Sequence, residues 1–333
     1  MKTKMYYFCT LFDSNYLSRG LALHNSLEKV CKDYHLFIFA FDDAAYDILN
    51  KLKLNHTTII PLSKFEDEEL LSVKADRTAG EYCWTATPKT IYYVIKKFNV
   101  DICTYVDADV YFYSSPKVIF DELGNDSILI TEHRFSPEYK GEEKKSGIYC
   151  VQFISFRNDE FGLKALAWWK DQCITWCYNR LEDGKFGDQM YLDDWTTRFE
   201  KVHVLKHLGG GIAGWNVSQY EFFRDKKVFY AIEKKSSQKF DVVFYHFHYL
   251  KFYTNGKLDL GPRIISKKVK EYFYKPYLRE LEDNKRKIHE LNPHIDPHGT
   301  EKQNYNWRTP IRYLRRKVFG LHNVYNLKDL LSR

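Results

Sequence analysis

Residues 5–12 (MYYFCTLF) are apolar almost without interruption and read as a buried strand. The hydrophobic period then changes, with Leu17, Leu21, His24 and Leu27 recurring at helical spacing across residues 16–30. The same exchange repeats downstream: a strand over residues 35–41, a helix over 43–52 and a third strand over 57–62. After a polar, acidic connection at 63–81, the pattern predicts a helix over 88–98 with Pro88 in its first turn, then a strand over 101–106. Strand and helix alternating in this way predict an α/β fold around a central, mostly parallel sheet with crossover helices.

The second half is more mixed. Residues 127–131 and 149–156 read as strands flanking a charge-rich segment, 132–146, expected to be a mobile loop over a site. Helical spacing covers 161–179 and, more briefly, 188–199. Residues 202–208, the triplet Gly209, Gly210 and Gly211, and an apolar strand over 242–250 complete the globular part. Beyond Gly261 come charged helices, including 277–291, and a break rich in Pro, His and Gly at 293–299. In the final stretch, 310–319, Ile311, Leu314 and Val318 share one side with Arg312, Arg315, Arg316 and Lys317 around them. The expected organisation is a catalytic domain over 1–260, with a nucleotide-binding half (about 1–113) and an acceptor-side half (about 114–260), followed by a charged helical C-terminal extension over 261–333.

Of 333 residues, 44% are apolar and 17% aromatic, enough for one large α/β domain rather than a disordered chain. The 26 Tyr and seven Trp also suit the walls of a cleft that stacks bases or sugars. Seven cysteines with no CxxC pair fit a reducing compartment, and Cys173 and Cys177, one helical turn apart, read as core residues. The net charge of +7 is concentrated in residues 301–333, where eight basic residues face two acidic ones. The nearly neutral body excludes a nucleic-acid grip. The basic tail points to peripheral contact with an anionic membrane, its plain alternative being a solvated or oligomer-contacting helix. Lys2, Lys4 and a short apolar run ended by Asp13 do not make a secretory leader, and the N-x-S/T triplets at Asn55, Asn125 and Asn216 are expected chance matches. A cytoplasmic protein, peripheral on the inner face of the membrane, is the expectation.

Asp107 and Asp109 follow an apolar strand two residues apart. On an extended segment both carboxylates leave one face and can reach one divalent ion, Mg²⁺ or Mn²⁺, which would neutralise charge on a departing nucleoside diphosphate. The plain alternative is a pair of solvated turn aspartates. His246 and His248 likewise project from one face of a strand, and imidazole favours Mn²⁺; each alone could be a hydrogen-bonded core histidine. Lys251 follows as a diphosphate clamp.

The segments FCTLFDSNYLSRGLALHNSL, TYVDADVYFY, GDQMYLDDW and HFHYLK together resemble bacterial nucleotide-diphospho-sugar transferases of the GT-A fold. They look most like the retaining galactosyl- and glucosyltransferases related to lipopolysaccharide galactosyltransferases and glycogenin, over about residues 5–252. The resemblance implies that Thr10, Leu11, Asp13 and Tyr16 bind nucleobase and ribose. It makes Asp107, Ala108 and Asp109 the DxD motif, and His246 the third metal ligand with His248 as second choice. Lys251 then touches the diphosphate, and Arg77, Thr85 and Lys89 reach donor sugar and phosphate. Asp188 and Gln189 would stabilise an oxocarbenium-like centre or position the acceptor, although Asp188 also suits a helix N-cap. Trp215 and Asn216 fall on the acceptor side. Tyr249 stands where the family has glycine, and Lys251-Phe252-Tyr253 replaces Lys-Pro-Trp. The implied reaction is transfer of a hexose from a UDP-sugar to a glycan or glycolipid with Mn²⁺ or Mg²⁺, in surface polysaccharide synthesis. Two rivals stand beside it. An aspartate-nucleophile phosphohydrolase would use the same DxD with Asp193 and Asp194, but wants a small hydroxyl residue where Tyr111 stands; a non-catalytic sugar-binding relative would bind donor without turnover.

Overall fold

The structure, a computed structural model, describes residues 5–225, 228–304, 307 and 309–332; Lys2 and Lys4 lie outside them. The amino-terminal half runs β1 (Tyr6–Phe12), α1 (Leu17–Val30), β2 (Tyr34–Ala40), α2 (Asp43–Leu52), β3 (Thr57–Pro61), α3 (Leu62–Phe65), α4 (Glu68–Lys74), α5 (Ala79–Phe98), β4 (Ile102–Val106) and β5 (Val110–Phe112). There follow α6 (Lys117–Leu123), β6 (Ile128–Glu132), α7 (Glu143–Ser146), β7 (Tyr149–Arg157), α8 (Glu160–Thr175), α9 (Trp195–Arg198) and β8 (Val202–Val204). Strands β9 (Ile212–Ala213), β10 (Tyr220–Asp225), β11 (Val228–Glu233), β12 (Lys239–Asp241), β13 (Phe244–His246), β14 (Lys251–Phe252) and β15 (Lys257–Asp259) come next. Then α10 (Lys267–Val269), α11 (Lys275–Leu291), α12 (Thr309–Val318), β16 (Val324–Asn326) and α13 (Leu327–Ser332) end the chain.

Seven strands form the central sheet in the order β3-β2-β1-β4-β7-β6-β8, with β1 through β4 parallel and β7 antiparallel to both neighbours. Side chains alternate across it as the strand period requires. Phe8, Phe12, Leu36 and Ile38 pack with α1, α2 and α6, whereas Cys9, Leu11, Phe37 and Phe39 pack with α4, α5 and α8. A sheet covered on both faces explains why its strands are continuous apolar runs. The α/β class with a mostly parallel sheet is therefore as expected.

Several elements differ from the sequence pattern. Helix α5 begins at Ala79, not Pro88, because Thr78 and Glu81 form a reciprocal capping box; the proline lies within the helix. Two short helices, α3 and α4, occupy the connection read as irregular, and Asp67 caps the second. The apolar run at 242–250 holds only the three-residue β13. Strands β10, β11 and β12 make an antiparallel sheet that periodicity did not single out. In the C-terminal segment, expected to be helical, β16 pairs with β15, and Arg316 of α12 makes a two-pronged ion pair to the buried Asp259 at 2.7 Å.

Candidate functional site

Strand β4 ends at Val106, and Asp107-Ala108-Asp109 forms a tight turn closed by the Val110 N–H donating to the Asp107 carbonyl at 3.0 Å. The two carboxylates thus converge through a turn and not, as expected, through strand alternation. Strand β5 leaves the turn and pairs antiparallel with β13, setting His246 opposite Val110. The Phe247 N–H then donates to the Asp109 carbonyl at 2.9 Å. His246 Nε2 consequently stands 3.0 Å from Asp109 Oδ1 and 3.5 Å from Asp107 Oδ2. Tyr245 and Phe247 point the other way, Phe247 stacking on Tyr277 of α11 with ring centres 3.7 Å apart.

The electrostatics divide the pair. Burial alone would raise Asp109, but the His246 charge and its hydrogen bond outweigh that and hold the carboxyl down at about 2. Burial pushes Asp107 up to about 6, with the Asp109 carboxylate adding to the rise and His246 opposing it. His246 is itself raised well above the ordinary histidine value, the Asp109 charge overcoming desolvation. Without metal the site is therefore an imidazolium against one firmly ionised carboxylate. As a donor set for a cation the three residues fit: two carboxylate oxygens and one imidazole nitrogen lie within 4.8 Å of one another. His246 Nδ1 is buried without a partner among the described residues.

Asp107 and His246 open into a cavity of about 440 Å³ whose lining includes Asp188, Gln189, Trp215 and His248. The Asp188 carboxyl, raised well above the ordinary range by burial and by the Asp107 charge, does not cap the short turn of helix that follows. Gln189 donates its amide to the Ser146 carbonyl at 2.5 Å. Trp215 is pinned by its indole N–H to the His133 carbonyl, 2.8 Å away, with its ring edge-on to His246 and His248. Sequence reasoning missed Trp84, His133, Phe135, Tyr249 and Arg263, which complete much of the wall. His133, stacked on Phe135, is lowered to about 3 by burial and is a neutral wall residue.

The residues expected to receive nucleobase and ribose gather at the carboxyl end of β1. Thr10 and Leu11 are buried there, Thr10 Oγ1 has no hydrogen-bond partner among the described residues, and Asp13 accepts from the Asn15 backbone N–H. Tyr16 lies under the Arg19 guanidinium at 4.3 Å. Arg19, not singled out from sequence, is buried and donates to the Leu250 and His298 carbonyls at 2.9 Å, tying α1 to the late loop. Ala108 is buried in the core.

Other expected contacts are engaged elsewhere. The Arg77 guanidinium stacks on Tyr178 at 3.9 Å, Thr85 donates to the Glu81 carbonyl one turn back, and Lys89 is ion-paired with Asp67 and Glu69. Lys251 pairs with Glu301 at 2.8 Å beside a separate cavity. Asn216 is fully buried, accepting from the Ala213 N–H and donating to the His133 and Gly211 carbonyls. His248 lies beyond the end of β13, with its ring centre 5.5 Å from that of His246.

Among known proteins, no family model matches the chain. The uncharacterized protein YfnD of Bacillus subtilis (strain 168) is 30% identical over 281 residues, 83% of this chain and 88% of YfnD. YfnF of the same organism is 34% identical over 248 residues, 72% of this chain and 80% of YfnF. The chain belongs to the family of YfnD and YfnF. Among solved structures, the galactosyltransferase LgtC, in complex with donor and acceptor sugar analogs, superposes with a TM-score of 0.53 at 12% identity. That match covers 83% of this chain and 95% of LgtC. At such identity the likeness bears on architecture, and the architecture is the GT-A fold of glycosyltransferases, as the motifs suggested.

Proposed function

We propose that this chain is a divalent-metal-dependent hexosyltransferase, moving a hexose from a UDP-sugar to a glycan or glycolipid with retention of configuration, in bacterial surface polysaccharide synthesis such as that of lipopolysaccharide. The carrying observation is the convergence of Asp107, Asp109 and His246 beside a cavity that also receives the Asp188 carboxyl. A mixed carboxylate and imidazole donor set favours Mn²⁺ over Mg²⁺. When bound, the cation supplies Lewis-acid withdrawal of charge from the leaving nucleoside diphosphate. The chain's own residues do the rest. Thr10, Leu11, Asp13 and Tyr16 receive nucleobase and ribose at the carboxyl end of β1, where open α/β sheets bind their ligands. Asp188 offers its carboxyl to the anomeric centre or the acceptor hydroxyl, and Gln189, held by Ser146, fixes the segment that carries it. Trp215, immobilised through its indole N–H, presents a rigid face to a sugar. Asn216 holds that loop through its buried amide.

The phosphohydrolase alternative loses its acidic pair. Asp193 accepts the Ile148 N–H at 2.7 Å, and Asp194 is clasped by Arg198. The test of the transferase reading is mass-spectrometric screening of UDP-hexoses with Mn²⁺, following UDP release. Turnover by the intact chain that disappears in Asp109→Asn supports it; turnover unchanged in that variant overturns the metal assignment.

No helix among the described residues is long and apolar enough to cross a membrane. Contact with the inner face of the cell membrane, from the cytoplasm, would run through α12, whose Ile311, Leu314 and Val318 are 62–71% exposed while Arg316 anchors the helix to Asp259. Liposomes containing phosphatidylserine should sediment with the full chain and not with the Ile311→Ser/Leu314→Ser/Val318→Ser variant. Equal sedimentation removes this part of the proposal.

A further inference from the structure

A second cavity lies beside the candidate transfer cavity. Tyr249, part of the wall of the transfer cavity, also lines the second, of about 300 Å³, which closes against residues 301–304 and α12. Tyr249 has φ of +72°, the left-handed region that a bulky side chain seldom occupies. Its ring is nonetheless kept in view, 41% exposed, and lies against Gly261, where a Cβ would come within 3.1 Å of it. Backbone strain that serves to present an aromatic face is a mark of a ligand surface. Tyr313 of α12, 45% exposed, offers a second ring in the same cavity, and Asn304 an amide.

The charges are unequal. Arg316 is neutralised by Asp259 and Lys251 by Glu301, whereas Lys302 and Arg312 in the same lining have no acidic partner among the described residues. A surface of aromatic faces and amides beside two uncompensated cations suits a sugar ring that carries an acid. Neutral saccharides would gain the stacking but not the ion pairs, and a free inorganic anion the reverse.

We propose that this second cavity is the distal acceptor subsite and takes an acidic saccharide, a sugar bearing a carboxylate or phosphate, with Tyr249 as the wall it shares with the transfer site. The assignment of the ligand as acceptor rests on the transferase reading above. Calorimetric titration of the full chain at physiological salt would use three probes: cellobiose, its terminally carboxylated counterpart cellobiouronic acid, and glucose 6-phosphate. At least one acidic probe should bind about tenfold tighter than cellobiose, the worth of two partly exposed ion pairs. The two acidic arms show which acid is preferred. Lys302→Glu/Arg312→Glu should abolish that preference while UDP release from a UDP-hexose is unchanged, and Lys302→Met/Arg312→Met should reduce it. Equal binding of cellobiose, no binding of any probe, or a preference that survives charge reversal overturns the subsite. Acid-selective binding by a chain that releases no UDP leaves the cavity's ligand class standing and sinks the transferase reading; UDP release without acid selectivity does the opposite.

Discussion

Replacing Asp107 and Asp109 singly by asparagine should change metal-free stability in opposite directions while removing metal binding in both cases. Asp107 is raised from its ordinary 3.8 to about 6, mainly by burial. A rise of roughly two pH units corresponds to about 3 kcal/mol against folding at neutral pH. About 30% of its side-chain surface is open, and solvent screening there reduces the expected cost to about 1–2 kcal/mol. Because the folded value lies above the unfolded one, the penalty is absent below about pH 4, grows between 4 and 6, and is complete above 6. Asp109 is the reverse case. Held at about 2 by His246, it contributes stability that is present above about 3.8 and is lost as pH falls through its folded value. In EDTA at neutral pH, Asp107→Asn should therefore raise the urea unfolding midpoint and Asp109→Asn lower it by an energy on the order of 2 kcal/mol. Adding Mn²⁺ should stabilise the parent chain and neither variant. If Asp107→Asn lowers the metal-free midpoint, or still responds to Mn²⁺, the pairing of Asp107 with Asp109 and His246 as a cation site is wrong.

Raising pH should strengthen Mn²⁺ binding through the range where His246 loses its proton, since the ion must displace it; calorimetric affinities that are flat with pH, or fall as it rises, would remove His246 from the ligand set. Asn216→Ala should cost about 2–4 kcal/mol of unfolding free energy, because it breaks three buried hydrogen bonds and leaves backbone groups unpaired; a stable variant defective only in acceptor KM would restore Asn216 as a sugar contact. Gly209→Ala puts a methyl 1.8 Å from the Asp241 carbonyl oxygen, so the backbone must move and stability should fall by about 1–3 kcal/mol; an unchanged urea midpoint would show that the Gly209 contact with Asp241, at the end of β12, is slack.

The sequence carried β1 and β2 well because both lie in a sheet covered on both faces and appear as nearly uninterrupted apolar runs, each followed by a helix. It carried the DxD pair for a related reason: an apolar strand that runs straight into two acids marks the edge where the sheet stops being covered. Where local signals competed, it misled. Pro88 suggested a helix start that the Thr78 and Glu81 capping box had already made nine residues earlier, at Ala79. At residues 242–250 an apolar run conceals a turn, and only Tyr249, in place of a glycine, hinted at the left-handed backbone there. Strand β10 did contain an alternation, Tyr220 and Phe222 buried about an exposed Glu221, but it was too short to stand out among charged neighbours. Trp84, His133 and Arg263 meet in the cavity from a helix, the end of a strand and a loop, so no spacing along the chain could join them. Lys89 and Lys251 show the opposite failing: a basic residue near a motif gives no sign in sequence of the acids that already hold it.

The convergence of Asp107, Asp109 and His246 depends on one short pairing, and that pairing explains why residues remote from the candidate site matter to it. His246 reaches the carboxylates only because β13 runs antiparallel to β5, and β13 is three residues long. Two supports make up for its shortness. On one side the Gly209 carbonyl accepts from the Val243 and Phe244 N–H groups, and β9 adds a parallel partner at Ala213. On the other, Tyr245 and Phe247 are locked among Phe273, Tyr274 and Tyr277, so the helical segment after residue 269 buttresses the strand from behind. Alternation along β13 thus divides the labour: His246 faces the acids while its neighbours buy its position from a buried aromatic cluster. The C-terminal segment accordingly belongs to the architecture of the candidate site through packing, before any role of α12 at a surface is considered.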